Sequence, residues 1–295
     1  MISRQAQELM NMLREGKEAS KGQSLSPEET VKLREKLNTQ MNNTPLPEGI
    51  QIKDIHEGGV MGEFHHNLTP GKSGDKIVLF IFGGGFETGS VISRRNCCSQ
   101  VALAAGMDAF AVSYRQWPEA MYPAALEDCT AAFHWLEKKG YRPENIRIFG
   151  ESAGANLTIA TTMYLNDHGQ ALPGRICPFS PVIDVTNSLP SRISRNGRDP
   201  MVQGDAASRF FTKEDEKQPY ASPIRGSFQG FPPVMVHVGT EEVLFDDSME
   251  LKRLCEEAGV DITVRVWEGM FHSFCIFSLP ETEEAMKEIG AFLRG

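Results

Sequence analysis

Gly150-Glu151-Ser152-Ala153-Gly154 sets a serine between two glycines at the spacing G-x-S-x-G. Ile146-Arg147-Ile148-Phe149 before it alternates like a strand, and the Ala- and Leu-rich run from Ala153 to Tyr164 reads as a helix. A strand turning this sharply into a helix is a nucleophile elbow. The serine is held in a strained backbone conformation, small neighbours let the two backbones approach, and the hydroxyl stands at the positive end of a helix.

A serine hydroxyl has almost no nucleophilicity at neutral pH. It needs a base within hydrogen-bond reach, and the base needs an orienting carboxylate. The chain has seven histidines. His56, His65 and His66 precede the elbow in or beside a hairpin, with His65-His66 read as a solvated pair at a strand end. His134 falls inside a helix, His168 in an Asn-Asp-His-Gly turn and His237 inside a strand. His272 alone follows a late strand in a loop, Gly269-Met270-Phe271-His272-Ser273-Phe274, where the chain order Ser, acid, His requires the base. The acid falls in Thr240-Glu241-Glu242-Val243-Leu244-Phe245-Asp246-Asp247. Most carboxylates there cap the next helix or face solvent. Position just past the strand favours Glu241 or Glu242 over Asp246 and Asp247.

The intermediates of acyl transfer carry an oxyanion that needs fixed donors. Lys76-Ile77-Val78-Leu79-Phe80-Ile81-Phe82 is a near-continuous apolar run, as expected of a strand buried on both faces, and it empties into Gly83-Gly84-Gly85-Phe86. Consecutive glycines leave backbone N–H groups free to face a ligand. A phosphate-binding loop is the competing reading, but neither Gly-Lys-Ser/Thr nor G-x-G-x-x-G follows.

These groups need a sheet whose strand ends converge. From residue 76 the chain alternates strand and helix: helices at Ser93–Ala105 and from Tyr122 to Lys139, a strand at 108–114, then the elbow. Further strands are expected at 175–181, 232–239 and 262–267, with helices at 248–258 and 281–293. That rhythm implies a mostly parallel sheet with helices on both faces and catalytic groups beyond its carboxyl ends. Ile50–Ile55 and the stretch to Phe64 read as a hairpin. Residues 1–45 are helical in pattern, interrupted at Gly16 and Gly22. Their second helix opens on Ser26-Pro27-Glu28-Glu29, a capping box with proline at the first helical position. They are read either as a surface pair or as a lid. Residues 187–220, polar and broken by Pro and Gly, look like an excursion from the sheet. The division expected is 1–45 as an N-terminal helical segment and 46–295 as the catalytic domain.

The 295 residues are 40% hydrophobic and 23% charged, ordinary for a globular chain. A net charge of −9 argues against nucleic acid and anionic membrane as main partners. The six cysteines form no CxxC pair and no zinc spacing, so free thiols in a reducing compartment are expected. No apolar signal core opens the chain and no apolar run approaches a membrane span, so a cytoplasmic protein is expected.

Several motifs together resemble the hormone-sensitive-lipase-like branch of the α/β-hydrolases, the bacterial carboxylesterases of that group, over nearly the whole chain. Gly150 to Asn156 is similar to that family's GDSAGGN elbow, and Phe82 to Phe86 to its HGGGF loop. Tyr114-Arg115 through Pro118-Glu119 to Tyr122-Pro123-Ala124-Ala125-Leu126-Glu127-Asp128 is similar to YRLAPE…FPAALED. Ser180-Pro181-Val182-Ile183-Asp184 is similar to SPWxDL, Glu242-Val243-Leu244 to DPL, and the His272 segment to GxxHxF. The resemblance implies an α/β-hydrolase fold with a helical cap made from residues 1–45 and 187–220. It implies a carboxylesterase for small, short-acyl esters with Ser152 as nucleophile, His272 as base and Glu242 as acid. The oxyanion donors would be the N–H groups of Gly83, Gly84 and Ala153. No metal or organic cofactor is implied, and homodimers are common among relatives. A lactone hydrolase, a sugar or drug deacetylase, and a non-catalytic ligand-binding homologue are the alternatives. Two departures stand out: Phe82 replaces the family's histidine before the glycines, and Glu242 replaces its usual aspartate.

Overall fold

Ile77 to Ile81, five apolar residues in succession, are each fully buried. A strand hidden on both faces must lie mid-sheet under helices from each side. A computed structural model of the chain describes residues 2–19, 25–42, 45–206 and 208–295. Gly22 and Ala207 lie outside the described residues.

The strands are β1 (Ile50–Glu57), β2 (Val60–Asn67), β3 (Ile77–Ile81), β4 (Asp108–Val112), β5 (Ile146–Glu151), β6 (Arg175–Phe179), β7 (Val234–Gly239) and β8 (Ile262–Trp267). They form one eight-stranded sheet in the order β1-β2-β4-β3-β5-β6-β7-β8. β1 pairs antiparallel with β2, and β2 with β4; every other pairing is parallel. The helices are α1 (Arg4–Ala19), α2 (Pro27–Asn42), α3 (Arg95–Ala105), α4 (Ala124–Lys138), α5 (Ala153–Asp167), α6 (Ser191–Ser194), α7 (Phe245–Glu257) and α8 (Pro280–Arg294). α3 packs against α8, and α4 against α5. β5 is buried along its whole length, whereas the edge strand β8 alternates between half-buried and exposed residues.

The capping box at α2 forms as its residues dictate. The Ser26 N–H donates to Glu29 Oε2 at 2.7 Å, and the Glu29 N–H to Ser26 Oγ at 3.2 Å. α2 then reaches the loops after β3 and β4 through Arg34, whose guanidinium donates to the carbonyls of Glu87 and Trp117. Residues 187–220 leave the sheet after β6; their described residues carry α6 and one short helical turn, Asp215–Lys217, and no strand. One expectation is corrected. His65 and His66 lie within β2, not at its end, and His65 is fully buried with Nδ1 3.0 Å from Ser99 Oγ. The side chain replaces its water with a serine hydroxyl across α3. All six cysteines are buried and free. No helix among the described residues is long and apolar enough to cross a membrane.

Candidate active site

The elbow closes between β5 and α5. Ser152 sits at φ 57° and ψ −119°, backbone that a non-glycine residue adopts only under strain. The Ser152 N–H donates to the Phe179 carbonyl of β6 at 2.9 Å, which helps hold the turn. A Cβ on Gly154 would lie 2.0 Å from the Ile81 carbonyl oxygen, so only glycine lets α5 start this close to β3.

Ser152 Oγ lies 2.8 Å from His272 Nε2, and His272 Nδ1 lies 3.1 Å from Glu242 Oε2. Ser152 is partly exposed, while His272 and Glu242 are 3% and 0% exposed. The other carboxylate oxygen, Glu242 Oε1, accepts from Ser180 Oγ at 2.8 Å and from the Gly239 N–H at 2.6 Å. Ser180 Oγ in turn accepts the Ser273 N–H at 3.1 Å, so one buried hydroxyl ties the acid's loop to the histidine's loop. Ser273 Oγ is 3.2 Å from His272 Nε2, a second hydroxyl beside the same nitrogen.

The other carboxylates of the cluster are engaged elsewhere. Glu241 forms an ion pair with Arg198 at 2.6 Å. Asp246 Oδ2 accepts the Ser191 N–H, and Asp247 Oδ1 accepts the N–H groups of Ile183 and Asp184. Of the four acids, the histidine meets Glu242.

Burial opposes charge on His272. The hydrogen bond and charge of Glu242, together with the charges of Asp199 and Glu151, outweigh that and hold its pKa above the usual imidazole value. Asp199 is itself buried, which raises its pKa. It accepts the N–H groups of Met201, Val202 and Val243. Sequence reasoning missed Asp199, Ser180 and Ser273. Ser180 lay in a motif already noticed, but its link to Glu242 joins residues 62 apart in the chain.

The Gly83 N–H, expected to face a substrate oxyanion, donates to Glu151 Oε1 at 2.5 Å. A Cβ on Gly83 would strike that carboxylate at 2.3 Å. The Gly83 donor is therefore occupied by the protein itself. The N–H groups of Gly84, Gly85 and Ala153 have no acceptor among the described residues. Asn156 donates from Nδ2 to the carbonyls of Val182 and Ala221, bracing the elbow helix against the segments that flank the 187–220 excursion.

The fold and this Ser-His-Glu arrangement define the α/β-hydrolase class, and residues 78–276 match the model of an α/β-hydrolase-fold family. The chain belongs to the hormone-sensitive-lipase-like branch of that family, the bacterial carboxylesterases. It is 35% identical over 233 residues to the "acetyl-hydrolase" of Streptomyces hygroscopicus, covering 77% of this chain and 78% of that one. It is 29% identical to an "esterase" of Acinetobacter venetianus, covering 82% of each. Among solved structures it resembles the esterase EstE5 soaked with p-nitrophenyl butyrate. The TM-score is 0.91 at 32% identity, over 99% of this chain and 98% of that one. An esterase of the bacterial hormone-sensitive lipase family aligns at TM-score 0.90 and 32% identity, over 100% and 98%. The expected fold and the expected ester-hydrolase activity both stand on these likenesses.

Proposed function

We propose that the protein hydrolyses small, short-acyl esters through an acyl-enzyme on Ser152. His272 Nε2 takes the Ser152 proton as Oγ attacks the ester carbonyl. Glu242 holds the tautomer that keeps Nε2 free as the acceptor and stabilises the imidazolium that forms. The N–H groups of Gly84, Gly85 and Ala153 receive the oxyanion. The imidazolium then gives its proton to the departing alkoxide, which leaves as the alcohol. Water, deprotonated by His272, attacks the acyl-enzyme and releases the acid, and the proton returns to Ser152.

The observation that carries this reading is the Glu242–His272–Ser152 relay, with hydrogen-bond distances of 3.1 and 2.8 Å beside the Gly84 and Gly85 N–H groups, which have no acceptor among the described residues. The relative named an acetyl-hydrolase supports a short acyl group, and equally supports a second reading in which an acetyl group is removed from a larger alcohol. α1, α2 and the 187–220 excursion form the cap over the acyl pocket in this account. A cytoplasmic setting and a homodimer belong to the same proposal.

A p-nitrophenyl ester series from acetate to palmitate, with wild type and Ser152→Ala, tests it. Serine-dependent turnover that falls with chain length supports a short-acyl esterase. Turnover on acetate alone favours the deacetylase, and no turnover on any ester contradicts both.

A further inference from the structure

An oxyanion loop works only if its donors are fixed before the charge develops. Here the loop begins at Phe82, whose side chain has no polar atom. The ring stacks on Tyr114 with centroids 4.1 Å apart. Two polar contacts anchor this end of the loop. Tyr114 Oη donates to the Phe82 carbonyl at 2.8 Å, and the Gly83 N–H donates to Glu151 Oε1 at 2.5 Å. Tyr114 is buried, which keeps its hydroxyl protonated and a donor. Glu151 is 1% exposed, and its Oε1 also accepts Arg94 Nε at 2.9 Å.

We propose that Glu151, clamped by Arg94, is the positioning residue of the oxyanion loop, a role that rests on the serine-esterase reading above. The geometry argues for it in three parts. Holding the Gly83 N–H fixes the Phe82–Gly83 peptide, and with it where the following N–H groups of Gly84 and Gly85 point. A bare buried carboxylate beside the nucleophile would repel the developing oxyanion, and Arg94 on the same oxygen neutralises it. Glu151 also precedes Ser152 directly, so the loop and the nucleophile share one rigid reference, the end of β5. Glu151 does not touch the reacting atoms; it acts through the loop.

The test compares wild type with Glu151→Asp and Glu151→Gln. Aspartate keeps the charge for Arg94 but is one methylene too short to hold both partners. Glutamine keeps the length and an acceptor for the Gly83 N–H. The readouts are kcat and KM on p-nitrophenyl acetate, the inhibition constant of a trifluoromethyl ketone, which adds to the serine to form a stable oxyanion, and the unfolding temperature. For Glu151→Asp, kcat is expected to fall about 10²-fold, the lower end of the cost of one oxyanion donor, with KM within about threefold. Ketone binding should weaken by the same factor as kcat, and Glu151→Gln should recover at least about tenfold of the loss. A folded Glu151→Asp with wild-type kcat overturns the proposal. So does a fall in kcat without a matching loss of ketone binding, or a glutamine variant no better than aspartate. A wild type that turns over no ester through Ser152 overturns the esterase reading as well, which separates the two failures.

Discussion

Two buried glutamates flank the serine, and the difference between them is instructive. Glu242 is 0% exposed and Glu151 1%. Both carboxylates accept a backbone N–H, from Gly239 and Gly83 respectively. Their second partners separate them. Glu151 meets Arg94, a permanent cation, so its charge is cancelled in place. Glu242 meets His272, which carries charge only when protonated, so its charge is balanced only while the imidazole holds a second proton. In the proposed mechanism the same side chain under the same burial thus serves as a fixed brace on one side of Ser152 and as part of a proton relay on the other. Burying a carboxylate is costly unless it is paired, and here the choice of partner sets what it does.

Breaking the relay should cost most. Ser152→Ala removes the proposed nucleophile, and kcat on a p-nitrophenyl ester is expected to fall on the order of 10⁶-fold with the unfolding temperature retained. Glu242→Gln keeps shape but not charge, and a loss of roughly 10⁴-fold in kcat is expected, the scale seen when a triad acid becomes an amide. The pH profile sharpens this point. With the neutral imidazole as the proposed base, kcat/KM is expected to rise as pH climbs through the His272 pKa, which lies above the usual imidazole value. Removing the Glu242 charge takes away the main interaction raising it, and the acid limb of the profile should move to lower pH. An unmoved limb would deny that this carboxylate faces the imidazole.

The brace should respond differently. Arg94→Met leaves Glu151 buried without its cation, and a stability loss of about 3 kcal/mol is expected by chemical denaturation, as when one partner of a buried pair is removed. Ser180→Ala removes the hydroxyl that Glu242 Oε1 accepts and that receives the Ser273 N–H. A fall in kcat of about tenfold is expected, near the worth of one hydrogen bond to a charged group. Asp246→Asn touches neither glutamate, and its kcat should stay within about twofold of wild type, as for substitutions away from the machinery.

Local chemistry made part of this site legible in the sequence. Ser152 announced itself because the elbow needs small residues at fixed spacing, and His272 because only one histidine followed the last strand. The strand–helix rhythm gave the parallel sheet for the same reason, since each element is a local pattern of burial. Contacts between distant segments were not legible. Choosing Glu242 over Glu241 depended on family resemblance, because the carboxylate that turns outward does so to reach Arg198, 43 residues away. The Gly83 N–H was expected to face substrate because its partner, Glu151, lies 68 positions on and meets it only because β3 and β5 are neighbours. The burial of His65 escaped for the same reason, its serine lying on α3, 34 residues along. The fold could therefore be read from periodicity, whereas the bracing of the site depended on strand order.

The most direct test of the central claim is to expose the wild type to a fluorophosphonate, digest it and locate the adduct by mass spectrometry, alongside Ser152→Ala and Glu242→Gln. One adduct on the wild-type peptide carrying Ser152 is expected, with none on Ser152→Ala and slowed labelling of Glu242→Gln. Labelling at another residue, or an ester-hydrolysing wild type left unlabelled at Ser152, would contradict the relay described here.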